Sequence, residues 1–451
     1  MNSALPKIPD APRDRFRFSP EPGSAFISAT QSQIAHDIIG GLIRLNCLQT
    51  LMETLPTVLL RPGEADRAVA GHPWIYHGSV LRLTAPAADG AVVQVKDHRQ
   101  RFLGTGFYNS KSKINVRVLA TDRGPIDQAF FEQRIRAAFA LRQKHLPHAS
   151  SFRLVNAESD FLSGLIVDKY EDVLVVQTSA LGMDLRKAEI VAVLQKLLSP
   201  RAILERNDIS SRKFEGLADA NGVLAGEFSG ELTVNLNGLK FRTNLLAGHK
   251  TGLYLDQQVN YLGVAELAKG GQVLDCFSFL GGFALHAARA GAAHVHAIDQ
   301  SADATAAATR NAADNGLAAQ CSFETSNVFD WLKAQTAARP NEKLVPRFDL
   351  IVLDPPSFTR NRAAVPDALR GYKEIHLRAL KLLKTGGTLA TFCCSHHVDA
   401  QMFQEVIMAA AIDARCLLRR VAIYTQSPDH PILPIIPETE YLKGFAFEVV
   451  R

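Results

Sequence analysis

"QVLDCFSFLGGFALHAARAGAAHVHAID" occupies residues 272–299. It opens on an apolar run that stops at Asp275, turns through the adjacent glycines Gly281 and Gly282, and continues with helical spacing. It closes on a second apolar run that stops at Asp299. Unbroken apolar strands alternating with helices indicate a parallel sheet covered on both faces. The pattern continues downstream. "SADATAAATRNAADNG" reads as a helix, and "CSFETSN" as a strand running to Asn327. "FDLIVLD" ends at Asp354 and "GGTLATFCC" at Cys394. Ligands of doubly wound sheets sit beyond the carboxyl ends of the strands. Asp275, Asp299, Asn327, Asp354 and Cys394 are therefore expected around one pocket.

The first turn, "DCFSFLGGF", lacks the GxGxxG spacing that lets a pyrophosphate approach the backbone. This argues against a nicotinamide-dependent dehydrogenase. The turn, with Phe277, Gly281 and Gly282, suits a ligand with a cationic amino acid moiety. The carboxylate of Asp275 can face an ammonium or the nearby backbone, Asp299 can accept both ribose hydroxyls, and Asn327 is placed to hydrogen-bond an adenine. Together they describe S-adenosyl-L-methionine (SAM). The next strand end is "DPPSF", residues 354–358. Its prolines force an extended chain and remove backbone donors. Asp354, Pro355 and Pro356 are then expected to face the substrate, and Phe358 to offer a stacking surface for a planar base.

Outward from this block, the 451-residue chain is 47% hydrophobic and 21% charged, values of a globular protein. Its formal net charge of +5 permits a nucleic-acid partner without demanding one. No apolar stretch is long enough for a bilayer and no secretory signal is visible, so a cytoplasmic location and no membrane partner are expected. The six cysteines lack CxxC spacing, which indicates neither a disulfide framework nor a zinc ribbon. Residues 1–51 are rich in Pro and charge at their start and stand apart from the rest. They read either as an extension before a natural start at Met52 or as a species-specific tail. Residues 52–122 read as a small all-β module, and Lys96, Arg99, Arg101, Lys111 and Lys113 are expected to give it a basic face for phosphates. Residues 123–240 alternate helices with strands as an α+β block, and 241–451 form the doubly wound domain.

Several stretches together carry a resemblance: "HPWIYHGSV", "GLIVDKYEDVLVVQ", "AILERND", "HKTGLYLDQQ", "LDCFSFLGGFAL", "DLIVLDPPSF", "RGYKEIHLRAL", "TFCCS" and "DHPILPIIPETEYLKGFAFEV". From residue 55 onward the chain resembles the bacterial SAM-dependent large-subunit rRNA cytosine-5 methyltransferases with an N-terminal PUA domain. The resemblance implies a β-rich PUA RNA-binding domain, a central α+β domain and a C-terminal Rossmann-like methyltransferase domain. The implied partner is ribosomal RNA of the large subunit, and a homodimer is compatible with it. The family's nucleophile maps onto Cys394, with Asp354 steadying the base.

Adjacent strand residues point to opposite faces, so Cys393 is expected to be a small buried hydrophobe. Cys393, Cys394, His396 and His397 lie too close in sequence to converge tetrahedrally on one ion, and no metal is expected. Three departures from the family pattern stand out. Asn327 replaces a frequent Asp. Gln258 replaces an Arg, which would weaken a phosphate or RNA contact. "NAESDFLSGL" departs at what reads as a turn. Amino-group methylation through Asp354, Pro355, Pro356 and Phe358, and a non-catalytic RNA-binding protein, are the alternative readings.

Overall fold

The computed structural model describes residues 55–246, 252–337, 344–359 and 361–451. The expectations for residues 1–51, and the start of the "HKTG" stretch, lie outside the described residues. No helix among them is long and apolar enough to cross a membrane.

The first sheet has six strands, in spatial order Trp74–Tyr76, Ile114–Ala120, Phe102–Tyr108, Val92–Lys96, Thr57–Leu60 and Val80–Leu83. Val58, Leu60, Ile75, Val93, Val95 and Val116 form its core. The expected basic residues divide between the two ends of one strand. Lys96, Arg99 and Arg101 gather at one end of the strand Phe102–Tyr108, and Lys111 and Lys113 follow its other end. At about 3.3 Å per residue, the two groups stand roughly 20 Å apart. Arg101 is moreover paired with Asp97, Nε to Oδ2 3.1 Å.

The second sheet runs Asn221–Gly226, Ala202–Arg206, Val173–Thr178, Leu165–Tyr170 and Phe152–Asn156 in spatial order. The period of two sorts its side chains. Leu174 and Val176 pack beneath the helices Gln128–His145 and Lys187–Leu198. Val173 and Val175 point the other way, into a cluster that also holds Val273, Val295, Leu350 and Phe392 of the C-terminal sheet. One hydrophobic core therefore spans both blocks. The hairpin Glu231–Leu236/Leu239–Asn244 reinforces it with Val234, Leu236, Leu239 and Phe241. Its turn uses positive φ at Asn237 (54°) and Gly238 (84°), the Asn-Gly pair that two-residue hairpins favour. Arg242 binds Asp314, so the hairpin belongs with the C-terminal core. A boundary at residue 240 would cut it in half.

The altered "NAESDFLSGL" stretch is more than a turn. Its Asp160 accepts both guanidinium nitrogens of the buried Arg142, at 2.5 and 2.7 Å. Arg142 also donates to Asp429 O at 2.7 Å.

The third sheet has seven strands: β1 (Gln272–Cys276), β2 (His294–Asp299), β3 (Cys321–Thr325), β4 (Phe348–Leu353), β5 (Leu383–Cys393), β6 (Leu418–Thr425) and β7 (Lys443–Val449). Their order is β3-β2-β1-β4-β5-β7-β6. The first five are parallel, and β7 runs antiparallel between β5 and β6. Helices α1 (Gly282–Arg289), α2 (Ala302–Asp314), α3 (Val328–Gln335), α4 (Val365–Leu382) and α5 (Ala400–Ala414) connect or flank them. The register aligns the carboxyl ends, since Cys276 pairs with both Ile298 and Leu353, and Leu353 with Thr391. That alignment brings Asp275, Asp299, Asp354 and Cys394 to one edge.

Candidate active site

The turn after β1 is wound tightly. Phe277 (φ 65°), Phe279 (φ 49°) and Gly281 (φ 85°) all adopt the left-handed region. Two phenylalanines there are strained, and such strain gathers at functional sites. Asp299 holds the turn: its Oδ2 accepts from Phe279 N and its Oδ1 from Ser301 N, both at 2.9 Å. Each oxygen keeps a lone pair for a further donor. Asp275 lies beneath the turn, 1% exposed, with Oδ2 accepting from Ala284 N of α1 at 2.9 Å. Its Oδ1 has no partner among the described residues. Burial first, and then the charges of Asp354 and Asp299, push its carboxyl well above the usual range; the Ala284 bond opposes them. Gly282 is a glycine for packing reasons, since a Cβ there would meet the Tyr261 ring at 2.6 Å.

The third strand end differs from expectation. β3 stops at Thr325, and Asn327 caps α3, its Oδ1 accepting from Phe329 N at 2.9 Å and Asp330 N at 3.3 Å. A helix start leaves amide donors without partners, and an Asn oxygen satisfies them. That oxygen faces the helix, so the amide NH2 is the group left for an adenine, as a donor.

Across the pocket, Asp354 directly follows β4. Its Oδ2 accepts from Gln257 Nε2 at 3.1 Å, and Gln257 Oε1 accepts from Asn260 Nδ2 at 2.6 Å. Asn260 also donates to Thr425 O at 2.9 Å. Gln257 and Asn260 are buried, so the amide orientation is fixed by the chain of bonds. Cys394 follows β5, half-buried, with Sγ 3.9 Å from Pro355 O. Cys393 is fully buried and packs with Phe403 and Ile375 under α4 and α5, whereas Cys394 packs on the opposite core, beside Phe392. Ser395 joins the two loops: its Oγ lies 2.8 Å from Ser357 Oγ and 3.3 Å from Tyr372 Oη. Ser357 donates to Thr359 O at 2.8 Å, which makes Ser395 the donor to Ser357 and Tyr372 the donor to Ser395. Lys443 of β7 closes the turn from behind, Nζ donating to Ser395 O at 2.6 Å and Tyr441 O at 2.8 Å. Burial draws its pKa down, opposed by the neighbouring thiols of Cys393 and Cys394.

Phe358 is half-buried. Its ring packs among Tyr372 (4.6 Å between centroids), Phe329 (5.6 Å) and Phe277 (6.5 Å). Of this motif's two prolines, Pro355 is buried and Pro356 exposed. His396 and His397 are exposed loop residues. Among the described residues no group of three or more His, Cys, Asp and Glu side chains could hold a metal ion.

Three comparisons bear on this geometry. A PUA-like domain model matches residues 58–121, and an S-adenosylmethionine-dependent methyltransferase model matches residues 209–432. A Klebsiella pneumoniae protein named ribosomal RNA large subunit methyltransferase I is 36% identical over 400 residues, 88% of this chain and 98% of the relative. The chain belongs to the large-subunit ribosomal RNA methyltransferase I family. A Shewanella amazonensis relative of the same name is 39% identical over 87% of this chain and 99% of its own. Among solved structures, a protein from Streptococcus mutans described as a SAM-dependent methyltransferase superposes with a TM-score of 0.73. It covers 87% of this chain and 100% of its own at 20% identity, which bears on fold alone. A methyltransferase solved with S-adenosylhomocysteine gives a TM-score of 0.75, at the same identity and coverage.

The family's cofactor is SAM, and the first turn fits it. The orphaned, buried Oδ1 of Asp275 needs a cation or a donor, and an α-amino group supplies both. Two site residues escaped the sequence reading. Gln257 sits in "YLDQQ", next to Gln258. Gln258 itself is 2% exposed and donates to Asp429 Oδ2 at 3.1 Å, so it makes no RNA contact. Tyr254, in the same stretch, packs edge-on against Phe279 at 5.2 Å. The residue is 37% exposed, and its phenol is pushed up by partial burial and then by the charges of Asp354, Asp256, Cys394 and Asp299.

Proposed function

We propose that this protein methylates carbon 5 of a cytosine in large-subunit ribosomal RNA, with Cys394 as the covalent nucleophile. The names of its relatives support the RNA class. The observation that carries the mechanism is the seating of Cys394 at the end of β5, its thiol against the Pro355 carbonyl and beside the braced Asp354. Cytosine carbon 5 is a poor nucleophile. The Cys394 thiolate adds to carbon 6 and forms an S–C bond, and the ring electrons move to carbon 5 as an enamine. SAM would supply an electrophilic methyl group to that carbon and depart as S-adenosylhomocysteine. Asp354, held by Gln257, hydrogen-bonds the exocyclic amine or a protonated ring nitrogen and steadies the adduct. A base then takes the carbon-5 proton, the S–C bond breaks and the thiolate leaves. A cytosine within paired RNA must be unstacked to reach a pocket at a sheet edge. The test is nucleoside analysis of rRNA incubated with SAM and enzyme. 5-Methylcytidine should appear with the wild type and be absent with Cys394→Ala. Methylated adenine or guanine, made equally by both, would transfer the chemistry to an amino group and to Asp354.

A further inference from the structure

The short helical turn Ser210–Glu215 is anchored on both sides of one exposed ring. Arg212 is 2% exposed, and its guanidinium donates to Thr178 O (2.5 Å), Thr178 Oγ1 (3.1 Å), Asp184 Oδ1 (2.9 Å) and Ala218 O (2.9 Å). Glu215 is 4% exposed and accepts from Ser112 Oγ (2.7 Å), Asn109 Nδ2 (2.9 Å) and Arg117 (3.0 Å). The first set ties the turn to the central sheet and the second to the N-terminal sheet. Between them Phe214 is 69% exposed. Lys213 beside it is exposed. Lys111 lies against the end of the turn, its Cδ 3.4 Å from where a Cβ on Gly216 would stand. Glu215 is neutralised by Arg117, Asp184 by Arg212 and Asp208 by Arg206, which leaves Asp219 as the exposed acidic residue of this loop and Asp89, which accepts from Ser110, as the carboxylate beside Lys111.

A large ring held in water on a doubly fixed turn, flanked by lysines, has the composition of a stacking platform for single-stranded nucleic acid. Bases of every kind present a π-face, and the cations take the adjoining phosphates. We propose that Phe214 stacks on an unpaired base of the RNA substrate, with Lys111 and Lys213 on neighbouring phosphates. This rests on the RNA reading above but not on the chemistry assigned to Cys394.

The experiment measures binding of a labelled single-stranded RNA dodecamer to the full chain and to Phe214→Ala, Phe214→Leu and Phe214→Tyr. Alanine and leucine should each weaken binding roughly 5- to 150-fold, while tyrosine stays near wild type. SAM affinity and melting temperature should be unchanged in all of them. Lys111→Ala and Lys213→Ala should each lower the slope of log affinity against log salt by about 0.7. In rRNA methylation, Phe214→Ala should raise KM and leave kcat intact. The proposal is overturned if alanine and leucine bind as wild type. It is also overturned if leucine fully replaces phenylalanine, which would make the contact apolar rather than stacked. A change in oligomeric state with unchanged RNA affinity would give the ring to a second copy of this chain. Absence of RNA binding by the wild type would remove the RNA reading itself, a different failure from an unaltered Phe214 variant.

Discussion

Around β1 and β2 the pocket is built from backbone. Asp299 and Asp275 bind main-chain N–H groups 2 to 20 residues away in sequence, and two phenylalanines sit in left-handed conformations. Around β4 and β5 it is built from side chains. Gln257 reaches Asp354 across 97 residues, Ser357 reaches Ser395 across 38, and Lys443 reaches the Ser395 carbonyl across 48. A small cofactor with fixed shape suits a wall of fixed amides. On the proposed chemistry, a base that enters, reacts covalently and leaves suits groups that are held by bonds yet present reactive atoms. The difference teaches that damage on the first side should appear in SAM affinity, and damage on the second in turnover.

Asp299→Ala should weaken SAM binding the most, on the order of 10- to 100-fold, since about two charge-assisted hydrogen bonds to the ribose disappear with the turn's own anchors. Calorimetry checks it, with RNA affinity as the control that should not move. Asp299→Asn should fall between the two, because one acceptor remains. Equal losses of SAM and RNA affinity would break the division between the two sides.

Gln257→Ala removes one donor from the Asp354 carboxylate, so kcat should fall about tenfold while SAM affinity stays within about twofold. Single-turnover rates measured beside SAM titrations separate the two. A loss of SAM affinity instead would place Gln257 on the cofactor side.

A pH dependence follows from Asp275. Its carboxyl is raised in the free protein, so the fold holds a proton there that the unfolded chain releases at ordinary carboxylate pH. Stability from this group is present at low pH and is lost as pH rises from the unfolded value through the raised one. A bound ammonium favours the ionised form. SAM binding should therefore release a proton and weaken as pH falls through the raised value. Calorimetry in two buffers of different ionisation enthalpy reads the proton, and Asp275→Asn should abolish the linkage. An unchanged linkage in that variant would assign the proton to another group.

Cys393→Ala should have the smallest effect. The side chain is buried and small, so about 1 kcal/mol of stability is at stake. Denaturant midpoints measure this, and turnover per folded molecule should match wild type.

The two sides also differ in how much of them the sequence discloses. Asp275, Asp299, Asp354 and Cys394 each end an apolar strand, so period and position alone find them. Gln257, Ser395 and Lys443 matter through partners distant in the chain, and no local pattern marks such pairs. Tyr254 and Gln257 lay within a stretch that carried the family resemblance, but their roles depend on where the fold brings them. Asn327 shows what position alone leaves open. An Asn just past a strand serves equally as a ligand or as a helix cap, and here the oxygen caps α3 while the amide NH2 is left for a ligand. Phe358 reads as a stacking ring by type, but the three aromatic neighbours from other segments that pack on it are not legible locally. The parallel sheet and the alternation that separates Cys393 from Cys394 follow from periodicity. The single core shared by the central and C-terminal sheets does not, because strand residues buried on both faces do not say what covers each.

The central claim is that Cys394 bonds to the base. RNA carrying 5-fluorocytosine at the target tests it most directly, because fluorine cannot leave carbon 5 as a proton does. Wild-type enzyme with SAM should form a complex that survives denaturing electrophoresis. The complex should persist in Cys393→Ala and vanish in Cys394→Ala, with SAM affinity retained in both. A covalent complex formed by Cys394→Ala, or none formed by a wild type that methylates unmodified RNA, would contradict the account.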